Sequence, residues 1–183
     1  MSEFATAAEI VQFWFEECTP KQWWQKSEQF DRLVAGRFEA TVVAAAQEQL
    51  THWPDNAESA LARILLLDQF TRNIWRDKKQ AFAYDSLALS TAEQAIAKGY
   101  DKQYPINQRA FFYMPFMHSE SAAVHERAVQ LFSQPGLDDN LSFELRHKEI
   151  IDRFGRYPHR NQVLGRKSTP EELDFLTQPG SSF

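Results

Sequence analysis

Ser27-Glu28-Gln29-Phe30-Asp31-Arg32-Leu33-Val34-Ala35-Gly36-Arg37-Phe38-Glu39-Ala40-Thr41-Val42-Val43-Ala44-Ala45 carries its apolar side chains at helical spacing. Phe30, Leu33, Val34, Phe38, Val42 and Ala45 fall on one face of a long helix that Ser27 caps and that runs to about Leu50. The same period extends in both directions. Thr6-Ala7-Ala8-Glu9 is a capping box opening a helix that ends near Cys18, and Thr19-Pro20 starts another. Asp55 with Glu58 opens a strongly apolar helix from Ala57 to about Trp75. Further helices are expected over Gln80–Lys98, closed by a left-handed Gly99, and from Asn107, with a kink or stop at Pro115. Two more are expected over Ser119–Phe132 and over Asn140–Phe154, the latter ended by Gly155. Arg156–Ser168 shows no helical period, and Thr169-Pro170 caps a short last helix. No alternating run of Val, Ile and Thr indicates a strand. The fold class is all-α, one helical domain over residues 1–183. Helix pairs begin roughly 40 to 50 residues apart, which permits a stacked array of antiparallel helical hairpins.

Composition narrows the function classes. Twenty basic and 25 acidic residues give a net charge of −5, which argues against nucleic acid as the general partner. Only six glycines disfavour phosphate-loop and dinucleotide folds, so no cofactor is expected. Fifteen Phe and five Trp point to a core of large rings. One cysteine, Cys18, excludes an internal disulfide and fits a reducing compartment. No apolar run approaches the ~20 residues of a membrane span. Met1–Ala8 lacks the basic and apolar parts of a signal peptide, so a cytoplasmic location is expected.

Three segments carry chemistry. Asp68 and Arg72 are four apart in an apolar helix, which places them on one face as a charge pair, buried at least in part. Met114-Pro115-Phe116-Met117-His118-Ser119-Glu120 sets His118 and Glu120 after a proline in apolar surroundings suited to acid/base work. The His118-x-Glu120 spacing is poor for a metal, His125 adds little, and no metal site is expected. Arg146 to Lys167 holds seven Lys/Arg against Glu149 and Asp152, so the basic charge is concentrated here while the rest of the chain is acidic. Within it His147 lies on the apolar face of its helix, and Arg153, Arg156 and Arg160 surround the Gly155 turn. Forked guanidinium donors near a turn suit phosphate or carboxylate, or they pair with the surplus acids elsewhere. No nucleophile motif stands out, since Cys18 has no nearby histidine and Ser119 is merely adjacent to His118.

Phe13-Trp14-Phe15, Trp23-Trp24, Leu67-Asp68-Gln69-Phe70 with Arg72-Asn73, and Pro115 to Glu120 occur in this order, followed by Arg153 to Asn161 and Leu164-Gly165-Arg166. In these strings the chain resembles the bacterial domain-of-unknown-function family numbered 924, over about Ile10 to Leu176. The resemblance implies an all-helical fold related to tetratricopeptide arrays and no established activity. It also implies a shared polar set, matched here by Asp68, Arg72, His118, Glu120, His147, Arg153, Arg156, His159, Arg160 and Asn161. The leading expectation is a site for a small anionic molecule, with the arginines binding it and His118 or His147 moving a proton while Asp68 or Glu120 orients the ring. The alternatives are a peptide-binding helical module, or RNA stacked on Tyr157.

Overall fold

The computed structural model describes residues 4–183, so the first three residues of the Met1–Ala8 segment lie outside the described chain. The described residues are helical and contain no strand. Helices α1 (Ala7–Gln12), α2 (Pro20–Trp24), α3 (Glu28–Ala46), α4 (Ala57–Ile64), α5 (Thr71–Ile74) and α6 (Asp85–Ala97) form the first part. Helices α7 (Ile106–Met117), α8 (Ala122–Phe132), α9 (Asp138–Phe154), α10 (Asn161–Leu164) and α11 (Pro170–Phe175) complete it. Two wide π turns interrupt the α geometry, Phe13–Glu17 after α1 and Leu65–Phe70 between α4 and α5.

Local chemistry explains most boundaries. Thr6 and Glu9 form the expected capping box, and Ser27 caps α3 by accepting from the Phe30 amide. Asn56, not Asp55, caps α4, because its Oδ1 accepts the Ser59 amide at 2.9 Å. Asp55 instead binds Lys98 and Tyr100. The expected Gln80–Lys98 helix is shorter. Lys79–Ala81 is a single 3₁₀ turn, and α6 begins at Asp85, whose carboxylate is engaged elsewhere. Pro115 neither stops nor ends α7 at its own position. It lies in the last turn, and the helix continues to Met117. Gly99 and Gly155 adopt left-handed φ of 72° and 70°, as helix C-caps require.

The core is aromatic. Phe13, Phe38 and Phe70 meet with ring centroids 4.8, 5.2 and 5.9 Å apart, drawing the first π turn, α3 and the second π turn together. Trp14 sets its edge on Phe111 of α7 at 5.8 Å. On α3, Phe30, Val34, Phe38, Val42 and Ala45 are buried as expected, but Leu33 is 45% exposed. At 3.6 residues per turn Leu33 lies roughly 120° from the centre of that stripe, on a flank that nothing covers. Every residue from Leu65 to Phe70 is buried, so the π turn runs through the interior. A small second cluster joins Ile150, Ile151 and Tyr157 to Phe154 and Phe175.

No helix of the described residues is long and apolar enough to cross a membrane. Burial pushes the Cys18 thiol up to about 12, so it is an inert core group.

Candidate functional site

Asp68 projects from the buried π turn and is itself 0% exposed. A regular helix would stack Arg72 directly on its carboxylate. In the wider turn Arg72 donates to the Asp68 carbonyl at 2.8 Å and stays 3.6 Å from its carboxylate. That carboxylate accepts from His118 Nδ1 at 2.6 Å and from Gln69 at 2.7 Å. Desolvation works against the Asp68 charge, but His118 and Arg72 outweigh it and hold its carboxyl below the ordinary range. Asp68 is therefore ionised and His118 donates through Nδ1–H. Burial first, then Arg72, holds the His118 imidazole below its ordinary value, so the ring is neutral with a lone pair on Nε2. Nε2 makes no hydrogen bond within the protein and keeps contact with solvent.

The arginines divide into two groups. Arg72 forks onto Asp85 at 2.8 and 2.9 Å, and Arg160 reaches the same carboxylate at 3.4 Å. Asp85 sits in the first turn of α6, where the helix dipole favours its charge. Arg160 also donates to the His118 carbonyl at 3.0 Å and lies between the rings of Phe82 and Tyr157 at 4.5 and 4.7 Å. Burial and the neighbouring Arg72 bring its guanidinium down to about 10. Arg160 Nε and the neighbouring His159 Nδ1 are both buried without a partner.

Arg153 and Arg156 point the other way, onto α11. Arg153 pairs with Glu171 at the surface, and Arg156 forks onto Glu172 at 2.6 and 2.8 Å. Glu172 also accepts from Asn161 and from the Thr169 amide, and Arg156 chiefly holds its carboxyl down to about 2. Asn161 is thus a buried strut, its other face receiving Arg166 at 2.9 Å. Glu120 is spoken for as well, binding Arg166 through both oxygens and accepting the Tyr157 amide. Most of the basic segment meets acids from other parts of the chain, and three salt bridges, from Arg156, Arg160 and Arg166, pin the non-periodic loop. Glu172→Ala should release α11. Losing charged hydrogen bonds is expected to speed amide exchange over residues 169–175 by about tenfold or more while leaving the Asp68 region unchanged.

The histidines also separate. His125 is a core residue, donating to the Ser119 carbonyl and facing Glu144 at 2.7 Å. His147 bonds its own helix at the Phe143 carbonyl, and burial drives it down to about 3. Tyr157 is fully buried and donates to the Met117 carbonyl, so it offers no face for stacking RNA. Among the described residues no group of three or more His, Cys, Asp or Glu is placed to hold a metal ion. A cleft of about 340 Å³ opens away from this cluster, with Arg63, Leu67 and Thr91 in its walls.

The structure thus brings Asp68, Arg72, His118 and Arg160 together and adds Asp85 and Phe82, which sequence reasoning missed. The expected helix over Gln80–Lys98 places Asp85 in its interior as an ordinary surface acid, and only the later start of α6 brings it to a helix N-terminus.

A solved structure of a protein of unknown function from Agrobacterium tumefaciens is similar to this chain. The two share 42% identity over 93% of this chain and 96% of the other, with a TM-score of 0.88. No curated protein matches. The family model for a bacterial protein of unknown function, DUF924, matches residues 10–180, and the chain belongs to that family.

Proposed function

We propose that the protein binds a small anionic molecule beside His118 and moves a proton there. The observation that carries this reading is the Asp68–His118 contact of 2.6 Å with the opposite nitrogen left free. A buried carboxylate fixes the tautomer and stabilises the imidazolium that forms when Nε2 takes a proton from water or a ligand hydroxyl. Arg72 and Arg160 supply the positive wall, and the partnerless Arg160 Nε and His159 Nδ1 are polar atoms that an anion or its hydroxyl can satisfy. In this reading His147, Glu120, Asn161, Arg153 and Arg156 support the wall and do not touch ligand. No cofactor is required, and a reducing, cytoplasmic setting suits the single buried thiol.

Phosphates, sulfate and carboxylated metabolites in a melting assay test it. Stabilisation on the order of 2.7 kcal/mol is expected at a hundred times the dissociation constant. Arg160→Lys should abolish that shift, whereas His118→Asn should keep binding and lower turnover by about 10²–10⁴-fold. If no anion shifts the melt, the reading fails.

A tetratricopeptide-like array binding a peptide is the second reading. The successive packing of α6, α7, α8 and α9 favours it, and short loops between neighbours suit antiparallel hairpins. Peptide binding that survives loss of both Arg160 and His118 would select it.

A further inference from the structure

The ring of Phe183 rests in a seat made by three other rings. Its centroid lies 3.8 Å from His147, 4.6 Å from His159 and 5.3 Å from Tyr157. The seat adjoins the polar cluster directly. His159 precedes Arg160 in the chain, and the Arg160 guanidinium covers the Tyr157 ring at 4.7 Å. The two partnerless buried atoms, His159 Nδ1 and Arg160 Nε, belong to this same turn.

Phe183 is a weakly held occupant. It remains 54% exposed, and neither Ser182 nor Phe183 makes a backbone hydrogen bond. The last tie before it is Ser181, bound to Leu176 and Gln178. The seat by contrast is rigid. Tyr157 is anchored to Met117 and to Glu120, and His147 is anchored to Phe143. A rigid aromatic seat with a loosely tethered ring in it describes a subsite with a removable plug.

We propose that this seat is the specificity subsite of the anion site, taking the aromatic ring of an aryl phosphate or aryl carboxylate, and that the Phe183 ring competes for it. The proposal rests on the anion-binding reading above and deepens it. It requires two positions side by side. The charged group sits toward Arg160 and the ring lies between His147 and His159, where Phe183 now packs. Both imidazoles are kept neutral by burial, so they offer apolar faces with no charge for the ring to desolvate.

Calorimetric titration of the wild-type chain and of Phe183→Ala with phenyl phosphate and with inorganic phosphate tests the idea. Phe183 is half exposed, so its removal leaves the fold intact. Phenyl phosphate is expected to bind more tightly than inorganic phosphate. Phe183→Ala should raise phenyl phosphate affinity by about tenfold and leave inorganic phosphate within about twofold. Phe183→Trp, which fills the seat more tightly, should move phenyl phosphate affinity the opposite way. If inorganic phosphate binds but phenyl phosphate gains nothing from Phe183→Ala, the subsite is overturned while the anion reading stands. If neither ligand binds either protein, the anion reading fails and the subsite falls with it.

Discussion

Replacing Asp85 by alanine is expected to lower the unfolding free energy by about 3–5 kcal/mol, because it strands two guanidinium groups at once. Arg72 loses both its forked bonds, and Arg160, whose side chain is only 6% exposed, loses its carboxylate altogether. The nearest remaining acid for Arg72 is Asp68 at 3.6 Å, already committed to His118 and Gln69. Asp85→Asn keeps an acceptor without the charge and should fall between wild type and alanine. Urea unfolding at pH 7 measures all three, with Glu171→Ala as the comparison. That residue meets Arg153 in a solvent-exposed pair, so its loss should cost no more than about 1 kcal/mol. A loss below about 1 kcal/mol for Asp85→Ala would mean that water, not Asp85, compensates the two arginines.

The second large effect is set by pH. Burial holds His147 down to about 3 and His159 down to about 4, with Arg160 adding to the shift at His159. The unfolded chain protonates both near 6.5, whereas the folded chain does not until well below that. Over this interval the unfolded state binds more protons, so stability rises with pH and is lost as pH falls from 6.5 toward 4. The pair should lose about 4 kcal/mol between pH 7 and 5, at up to about 1.4 kcal/mol per pH unit for each ring. His118 is held down in the same direction and adds to the loss. Denaturant unfolding at pH 7, 6 and 5 reads the slope, and His147→Gln should flatten it by roughly half its two-ring value. A stability profile flat across this range would show both rings to be solvated.

Helix content was legible because long apolar stripes and capping residues act locally. Asp68 and Arg72 were legible for the same reason, since four-residue spacing inside an apolar run dictates both proximity and burial. The sharing of charge was not. A guanidinium bonds whichever carboxylate the tertiary fold delivers, and Arg72 and Arg160 found Asp85 from 13 and 75 residues away. Arg153 and Arg156 looked like partners of Arg160 because the three surround one glycine. The left-handed turn at Gly155 sends the chain across, so that only Arg160 reaches Asp85 while Glu171 and Glu172 take the other two. Glu120, close to His118 in sequence, was drawn off by Arg166, leaving Asp68 to orient the imidazole.

The wide turn at Leu65–Phe70 governs how this chain tolerates changes of length. A π turn stores the equivalent of one additional residue in the helical frame. Deleting one residue there other than Asp68 lets α4 and α5 run on as one regular helix, and because the turn already holds the surplus residue the two flanks keep their phase. Leu61 and Ile64 then stay in the core while Arg72 and Arg76 stay turned toward Asp85 and Asp31. Adding one residue finds no such slack and rotates one side by about 100° relative to the other. The backbone phase between Ala57 and Ile74 is therefore as much a constituent of the site as the imidazole itself. A single-codon insertion in that interval should erase the site even though every one of its side chains is still encoded.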